Sequence, residues 1–340
     1  MMPLVTVGFI NYSNPSIGYS SKKYLKLFLE TLAAQTYENL EVICLDNGST
    51  DNEESLQMIK EFYPGIKIIR NKENTGFIAH NQIIAEGKGK YYLCINFDLL
   101  LDPHYIKNLV DFAEAHPDVG TFGGSIYRWD FAKNVKTEYL DATGITISPS
   151  HHLRERETGV HVPFVEIEKR NPEEVFGISG VSVMFNKQAL EDIYSVYNYY
   201  FDPLFVIYKE EVDLMYRLRW LGWKSWYIPS ALAWHDRTLG EKQKFRLRNL
   251  TILTNRKHKS EYNRRQSIRN HLCILYKNFS FSFSLKVKVL TFWDEIRKFF
   301  WVLLFESFAL SAYKDFWRMR KELKVSKKSV APEEIEKLMM

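Results

Sequence analysis

Four times within the first hundred residues, a short apolar run suited to a strand is followed by a turn cluster and then by helical spacing. The runs cover 4–10, 40–45, 66–70 and 91–95. The intervening helices are read over 21–35, from the Ser49/Thr50 cap to about 63, and from Asn74-Thr75-Gly76 to 85. Strand and helix alternating with short connections predict an α/β fold, with a mostly parallel sheet wound by helices on both faces. Ligands of such sheets bind at the C-terminal strand ends. Polar clusters fall at three of those ends: Asn11 to Asn14, Asp46 to Asp51, and Asn96 to Asp98. No Gly-x-Gly-x-x-Gly follows the first strand, which argues against a nicotinamide-binding enzyme.

Further along, a helix and a strand (118–124) are expected within 103–125. Residues 127–175 read as loops and short strands. Residues 177–185 read as an apolar strand with small residues at its start, where backbone approaches a ligand closely. Glu210, Glu211 and Asp213 head a helix whose Leu214, Leu218 and Leu221 share a face, and Gly222 stops it. Acids in a first helical turn are favoured by the macrodipole by about 0.3–1 kcal/mol each, so by itself the cluster is a capped surface helix. Asp213 is suited to hold Arg217 one turn on. A short strand over 224–229 leads to Ala233-Trp234-His235.

Beyond Leu239 the pattern changes to helices rich in Lys, Arg, Phe and Trp. Residues 241–340 carry 23 Lys and Arg against 10 Asp and Glu, whereas the first 240 carry 23 against 31. An acidic body with a basic, aromatic tail predicts that the tail meets something anionic. We read an α/β part over 1–240 (halves about 1–100 and 101–240) and a helical region over 241–340. No run reaches the ~18–20 apolar residues that span a bilayer, and no basic stretch followed by an apolar core suggests a signal peptide. Cys44, Cys94 and Cys273 are widely spaced without a metal-ligand pattern, as in a reducing compartment.

Taken in order, Asn11-Tyr12-Ser13, Asp46-Asn47-Gly48-Ser49-Thr50-Asp51, Asn74-Thr75-Gly76-Phe77 with Asn81, Asn96-Phe97-Asp98, Gly177 to Phe185, Glu210-Glu211-Val212-Asp213-Leu214, Gly222-Trp223 and His235 resemble a known family. It is the family 2 inverting glycosyltransferases of the GT-A fold, in their rhamnosyltransferase-like branch. The resemblance runs from about Val5 to His235, and Arg269-Asn270-His271 with Tyr276-Lys277-Asn278 look like the branch's downstream part.

The resemblance implies a nucleotide-sugar donor (dTDP- or UDP-linked, with dTDP-L-rhamnose the first expectation). It implies a glycan or lipid-linked glycan acceptor in cell-surface polysaccharide synthesis, and a divalent cation, Mn²⁺ or Mg²⁺. Asn11, Tyr12, Asp46, Asn74, Gly76, Asn81, Asn96, Phe97 and Asp98 are then expected around the donor, and Asp98 and His235 at the metal. Glu211 is expected as the base, with Glu210 the second candidate. Gly180, Trp223 and Trp234 are candidates for the acceptor side, although core packing is the preferred reading of the two tryptophans. Two positions depart from the family pattern. Asn96 stands where an acid is usual, and Glu211 where Asp is usual. A transferase-like scaffold without catalysis is the alternative these departures suggest.

The aromatic tail, with Phe292-Trp293, 299–305 and Phe316-Trp317 among Arg297, Lys298, Lys314, Arg318, Arg320 and Lys321, suits either a membrane interface or packing on the catalytic part, including a homodimer contact. The first reading implies a cytoplasmic protein, peripheral on the inner face of the membrane. No nucleic-acid-binding module accompanies the charge.

Overall fold

The computed structural model describes residues 2–205, 207–236 and 260–340. The predicted alternation is present as β1 (Val5–Asn11), α1 (Lys22–Ala33), β2 (Leu40–Asn47), α2 (Glu54–Phe62), β3 (Lys67–Asn71), α3 (His80–Glu86) and β4 (Tyr91–Ile95). There follow β5 (Leu99–Leu101), α4 (Tyr105–Ala115), β6 (Val119–Asp130), β7 (Val135–Ala142), β8 (Ile145–Ile147), β9 (Leu153–Glu155), α5 (Phe164–Ile167), β10 (Glu173–Val175) and β11 (Ser182–Asn186). Then come α6 (Lys187–Tyr197), α7 (Glu210–Trp220) and β12 (Lys224–His235), and finally α8 (Glu261–Asn278), α9 (Leu285–Phe305), α10 (Ser311–Met319) and α11 (Pro332–Glu336).

The main sheet has the order β10-β12-β6-β11-β4-β1-β2-β3, with β5 added on β12 and β7 on β6. β1 to β4 are mutually parallel where they pair, and β12 is parallel to β6. β11 is antiparallel to both β4 and β6, so all six parallel strands point the same way. Their C-terminal ends and the start of β11 therefore share one edge.

Three expectations about elements change. The strand read over 177–185 begins only at Ser182. The segment before it lies against α7, where a Cβ on Gly177 would stand 2.8 Å from Met215 Cγ. The stretch after 127 is more regular than expected, because β6 continues to Asp130 and turns into β7. The 224–229 strand runs on to His235 across a register shift between Ile228 and Leu232. At that shift a Cβ on Gly124 would collide with the Ala231 carbonyl, so glycine lets β6 follow the bend. Helix α6 was not anticipated. Its start is signalled by Asn186, whose side chain accepts from Gln188 N at 3.0 Å.

One apolar core joins Val5, Val7, Phe9, Leu93 and Phe122 to Leu25, Phe28, Leu56 and Leu109 of α1, α2 and α4. The other joins Ile43, Leu45, Cys94, Val183 and Phe185 to Ile83, Ile193 and Leu214 of α3, α6 and α7. Cys273, Ile274, Phe283, Val287, Leu323 and Ile335 belong to this second core. The boundary read at residue 240 therefore divides the chain but not its packing. All three cysteines are buried free thiols.

Candidate active site

At the donor edge, side-chain amides tie neighbouring strand ends together. Asn11 is fully buried at the end of β1, and its Nδ2 donates to Asp46 Oδ1 (3.1 Å), Ser49 Oγ (3.2 Å) and Ser55 Oγ (3.0 Å). It thereby fixes the Asp46 carboxylate at the end of β2. Asn47, within the Asp46 to Asp51 cluster, is the hub of the next connection. Its Nδ2 donates to Asn74 Oδ1 (2.9 Å) and Gly76 O (3.2 Å), and its Oδ1 accepts from Asn71 and from Thr75 N. Gly76 has φ +70° and donates its N–H to Asn74 Oδ1 at 2.8 Å, closing a turn that favours glycine. Tyr12 stacks on Tyr19 with centroids 5.8 Å apart. Burial, and then the charge of Asp98, push the Tyr19 phenol up.

Pairing of β5 with β12 sets Leu99 opposite His235 and so brings Asp98 beside that histidine. Asp98 Oδ2 lies 3.3 Å from His235 Nε2, and Asp141 Oδ2 accepts from His235 Nδ1 at 2.9 Å. Asp141 comes from β7, in the stretch read as loops. Burial opposes a charge on His235, but the bonds to Asp141 and Asp98 outweigh it and raise its pKa to about 10. Asp98 Oδ1 is buried without a hydrogen-bond partner. A hard carboxylate oxygen with an unmet lone pair, beside an imidazole whose other nitrogen is held by a carboxylate, is a donor set that Mn²⁺ accepts. Among the described residues, no cluster of three His, Cys, Asp or Glu side chains is arranged to hold a metal.

Helix α7 starts at the same edge. Tyr208 (φ 68°) and Lys209 (φ 69°) precede it, both left-handed, a conformation that costs a non-glycine residue about 1–3 kcal/mol. This turn carries Glu210 and Glu211 toward the end of β4, where burial and then the charges of Glu211 and Glu210 push the Cys94 thiol up. A Cβ on Gly180 would stand 3.3 Å from Glu211 Cγ and 3.4 Å from Phe77 Cζ, so the loop before β11 packs against both Glu211 and the donor loop. Burial raises both acids. Glu210 is further opposed by the charge of Glu211 and reaches about 8, while Glu211 has its own and Val212's N–H groups and Lys209 favouring ionisation. The two acids interact, so they titrate as a pair with both carboxyls raised by burial.

The turn is held from the C-terminal region. Asn270 of α8, fully buried, donates to Ile207 O (2.8 Å) and Tyr208 O (2.7 Å). Lys277 of α8 reaches Asp202 at 2.5 Å and Asp213 at 2.7 Å, and Arg217 Nε donates to Asp213 Oδ2 at 2.8 Å. The i+4 pair expected for Asp213 is thus one part of a buried cluster of two acids and two bases.

Several expected residues do other work. Asn81 exchanges two hydrogen bonds with the Phe201 backbone, both at 2.8 Å, and so ties α3 to the segment after α6. Phe97 packs in the first core. The backbone N–H of Asn96 donates to Val181 O at 3.0 Å. Trp223 lies at the opposite edge of the sheet, because α7 carries the chain about 16 Å away from the acids. There its Nε1 donates to Asp192 Oδ2 at 3.0 Å. Trp234 is buried among Tyr127, Phe164 and the Lys136 ammonium, since successive strand residues face opposite ways and His235 takes the site side. Neither tryptophan borders the acids. A cavity of about 1280 Å³ is lined by Arg154, His271, Lys298 and Trp301, and also by Lys209, the residue before α7.

The family described as Glycosyl transferase family 2 matches residues 17–194, just over half the chain. An N-acetylglucosaminyl-diphospho-decaprenol L-rhamnosyltransferase of Mycobacterium tuberculosis is 26% identical over 241 residues, covering 65% of this chain and 75% of that one. An uncharacterized glycosyltransferase of Haemophilus influenzae is 35% identical over 107 residues, which are 31% of this chain and 33% of its relative. Among solved structures, GalNAc-T7 with UDP, GalNAc and Mn²⁺ superposes with a TM-score of 0.57 at 12% identity, covering 81% of this chain and 48% of that one. The mannosyltransferase PcManGT from Pyrobaculum calidifontis, in complex with GDP-Man and Mn²⁺, gives 0.51 at 16% identity, covering 93% and 74%. The chain belongs to glycosyl transferase family 2 and is a glycosyltransferase with the GT-A fold.

Proposed function

We propose that the protein moves a sugar, with inversion, from a nucleotide-diphosphate donor to a hydroxyl of a glycan or lipid-linked glycan, with Glu211 as the base. The observation that carries this is the position of Glu211: it packs beside Gly180, which also meets Phe77 of the donor loop, on the edge where Asp46, Asp98 and His235 also lie. In the reaction Glu211 takes the acceptor hydroxyl's proton as that oxygen bonds to the anomeric carbon. The bond from that carbon to the diphosphate breaks, and the nucleoside diphosphate leaves with the electron pair. Glu210, kept protonated by burial and by its neighbour, holds the pair to a single negative charge near neutral pH.

Asp98 and His235 would hold a divalent cation, and Asp141 would fix the imidazole so that Nε2 gives up its proton and faces the metal. When bound, such a cation neutralises, as a Lewis acid, the charge growing on the leaving diphosphate. With Asn96 in place of an acid, the donor's own phosphates supply more of the ligands. Asp46, with Asn74 and Gly76 held by Asn47, suits the nucleoside, and Tyr12 suits its base.

For the donor we favour dTDP-L-rhamnose, supported by the mycobacterial relative's activity and the order of motifs. Melting curves with dTDP-, UDP- and GDP-sugars test this, since a ligand at 100 times its Kd stabilises by about 2.7 kcal/mol. The dTDP-sugar is expected to give the largest shift and to support transfer that EDTA abolishes and Mn²⁺ restores. A larger shift with UDP- or GDP-sugars overturns the donor, and indifference to EDTA overturns the metal.

A further inference from the structure

Helix α9 inverts the usual arrangement of a surface helix. Its polar side faces the protein: Asp294 meets His152 at 2.7 Å, Glu295 meets His271 at 2.7 Å, and Thr291 donates to Pro149 O at 3.2 Å. Val287 and Val302 are buried on the same side. The outward side is apolar. Leu285 (73% exposed), Val289 (42%), Phe292 and Trp293 (62% apiece), Phe300 (54%) and Leu304 (70%) fall within an arc of roughly 120° at 100° per residue. They form a stripe about 30 Å long, and Phe281, 88% exposed, lies just before its start.

Lys286 and Arg297 lie along one margin of the stripe; Arg297 pairs with Asp294 at 2.6 Å, yet its side chain is still 78% exposed. Both acids of the helix, Asp294 and Glu295, point inward to their partners, so no carboxylate of α9 faces out. Among the described residues no helix is long and apolar enough to cross a membrane.

We propose that the outer face of α9 docks on the surface of a bilayer containing anionic lipids, its aromatic and aliphatic side chains below the headgroups and its cations on them. The composition is that of an interfacial helix, with Trp and Phe on one face and cations along one margin. A second copy of this chain fits less well, because a twofold contact through the stripe would bring the flanking cations toward one another with no outward carboxylate to meet them. The same helix carries Lys298 and Trp301 into the cavity that adjoins Lys209. Docking would therefore hold that cavity, and with it the turn before the base helix, near the leaflet. This last consequence rests on the proposed function, whereas the docking surface does not.

The test is flotation of the full chain with vesicles of phosphatidylcholine alone or mixed equally with phosphatidylglycerol. Light scattering without lipid and a transfer assay on a soluble acceptor accompany it. The wild-type chain is expected to float with the anionic vesicles. A Phe292→Ser, Trp293→Ser, Phe300→Ser, Leu304→Ser variant is expected to lose about a hundredfold or more of that partitioning while keeping its transfer rate. A Lys286→Glu, Arg297→Glu variant, which leaves the apolar face intact, is expected to lose the preference for anionic vesicles. The proposal is overturned if the wild type stays in the aqueous fraction, if both variants float like it, or if the stripe instead holds a dimer that the serine variant dissociates. Loss of transfer in every chain, with flotation retained, would count against the proposed function alone.

Discussion

The donor edge and the base edge lie on the same side of one sheet, but different interactions hold them. At the donor edge Asn11 and Asn47 join strand ends 24 to 44 residues apart through side-chain amides, hydroxyls and backbone groups. At the base edge the head of α7 is a strained turn held by an amide from 62 and 63 residues downstream and by an ammonium 75 residues beyond Asp202. The first arrangement follows once the strands pair in order. The second exists only when α8 has docked, so the tail is part of what aims the base. Damage at the donor edge should appear in nucleotide affinity, and damage at the base edge in stability and turnover.

The largest expected effect is at the buried charges. Lys277→Ala leaves Asp202 and Asp213 without their shared cation in a site closed to water, and should cost about 3–5 kcal/mol in denaturant unfolding. A loss under about 1 kcal/mol would mean that α8 does not hold α7 by charge. Asn270→Ala releases the carbonyls of Ile207 and Tyr208. A displacement of the base by about 1 Å would lower kcat about 100-fold, with nucleotide Kd nearly unchanged by titration calorimetry. If affinity fell instead and kcat held, the division between the edges would be wrong. Asn47→Ala should do the reverse, weakening nucleotide binding by roughly tenfold through the loosened Asn74–Gly76 turn, an effect of about 1–3 kcal/mol.

A further effect concerns protons. Glu210 is raised from 4.5 to about 8, so between those pH values the native state keeps a proton that the unfolded chain has lost. Stability should therefore fall as pH rises through that window. Glu210→Gln should make the melting temperature less dependent on pH there, and an unchanged slope would contradict the assignment.

What the sequence reveals differs between the edges for the same physical reason. Asn11, Asp46, Asn74 and Asp98 each follow a strand of their own, and in a parallel sheet all such ends meet, so periodicity alone brings them together. Asn47 sits inside one of those clusters, yet its role as hub depends on which loop it faces. Asp141 gives no local signal, because the β6–β7 hairpin and the β6–β12 pairing carry it to His235. Asn270 looks like any polar helix residue until α8 is packed. Trp223 adjoins a motif residue in sequence, but the direction of α7 carries it to the far edge. The acids heading α7 are visible as a capped turn, whereas what separates Glu210 from Glu211 is the folded surroundings: the charge of Glu211 on Glu210, and the N–H groups and Lys209 beside Glu211.

The account turns on Glu211, and the most direct measurement is transfer by Glu211→Gln alongside nucleotide titration. Removal of a general base lowers rates by about 10²–10⁴-fold. A loss of that size in kcat, with nucleotide Kd within about twofold of wild type, is the predicted result. Retained turnover in Glu211→Gln, or an equal loss confined to Glu210→Gln, would contradict it.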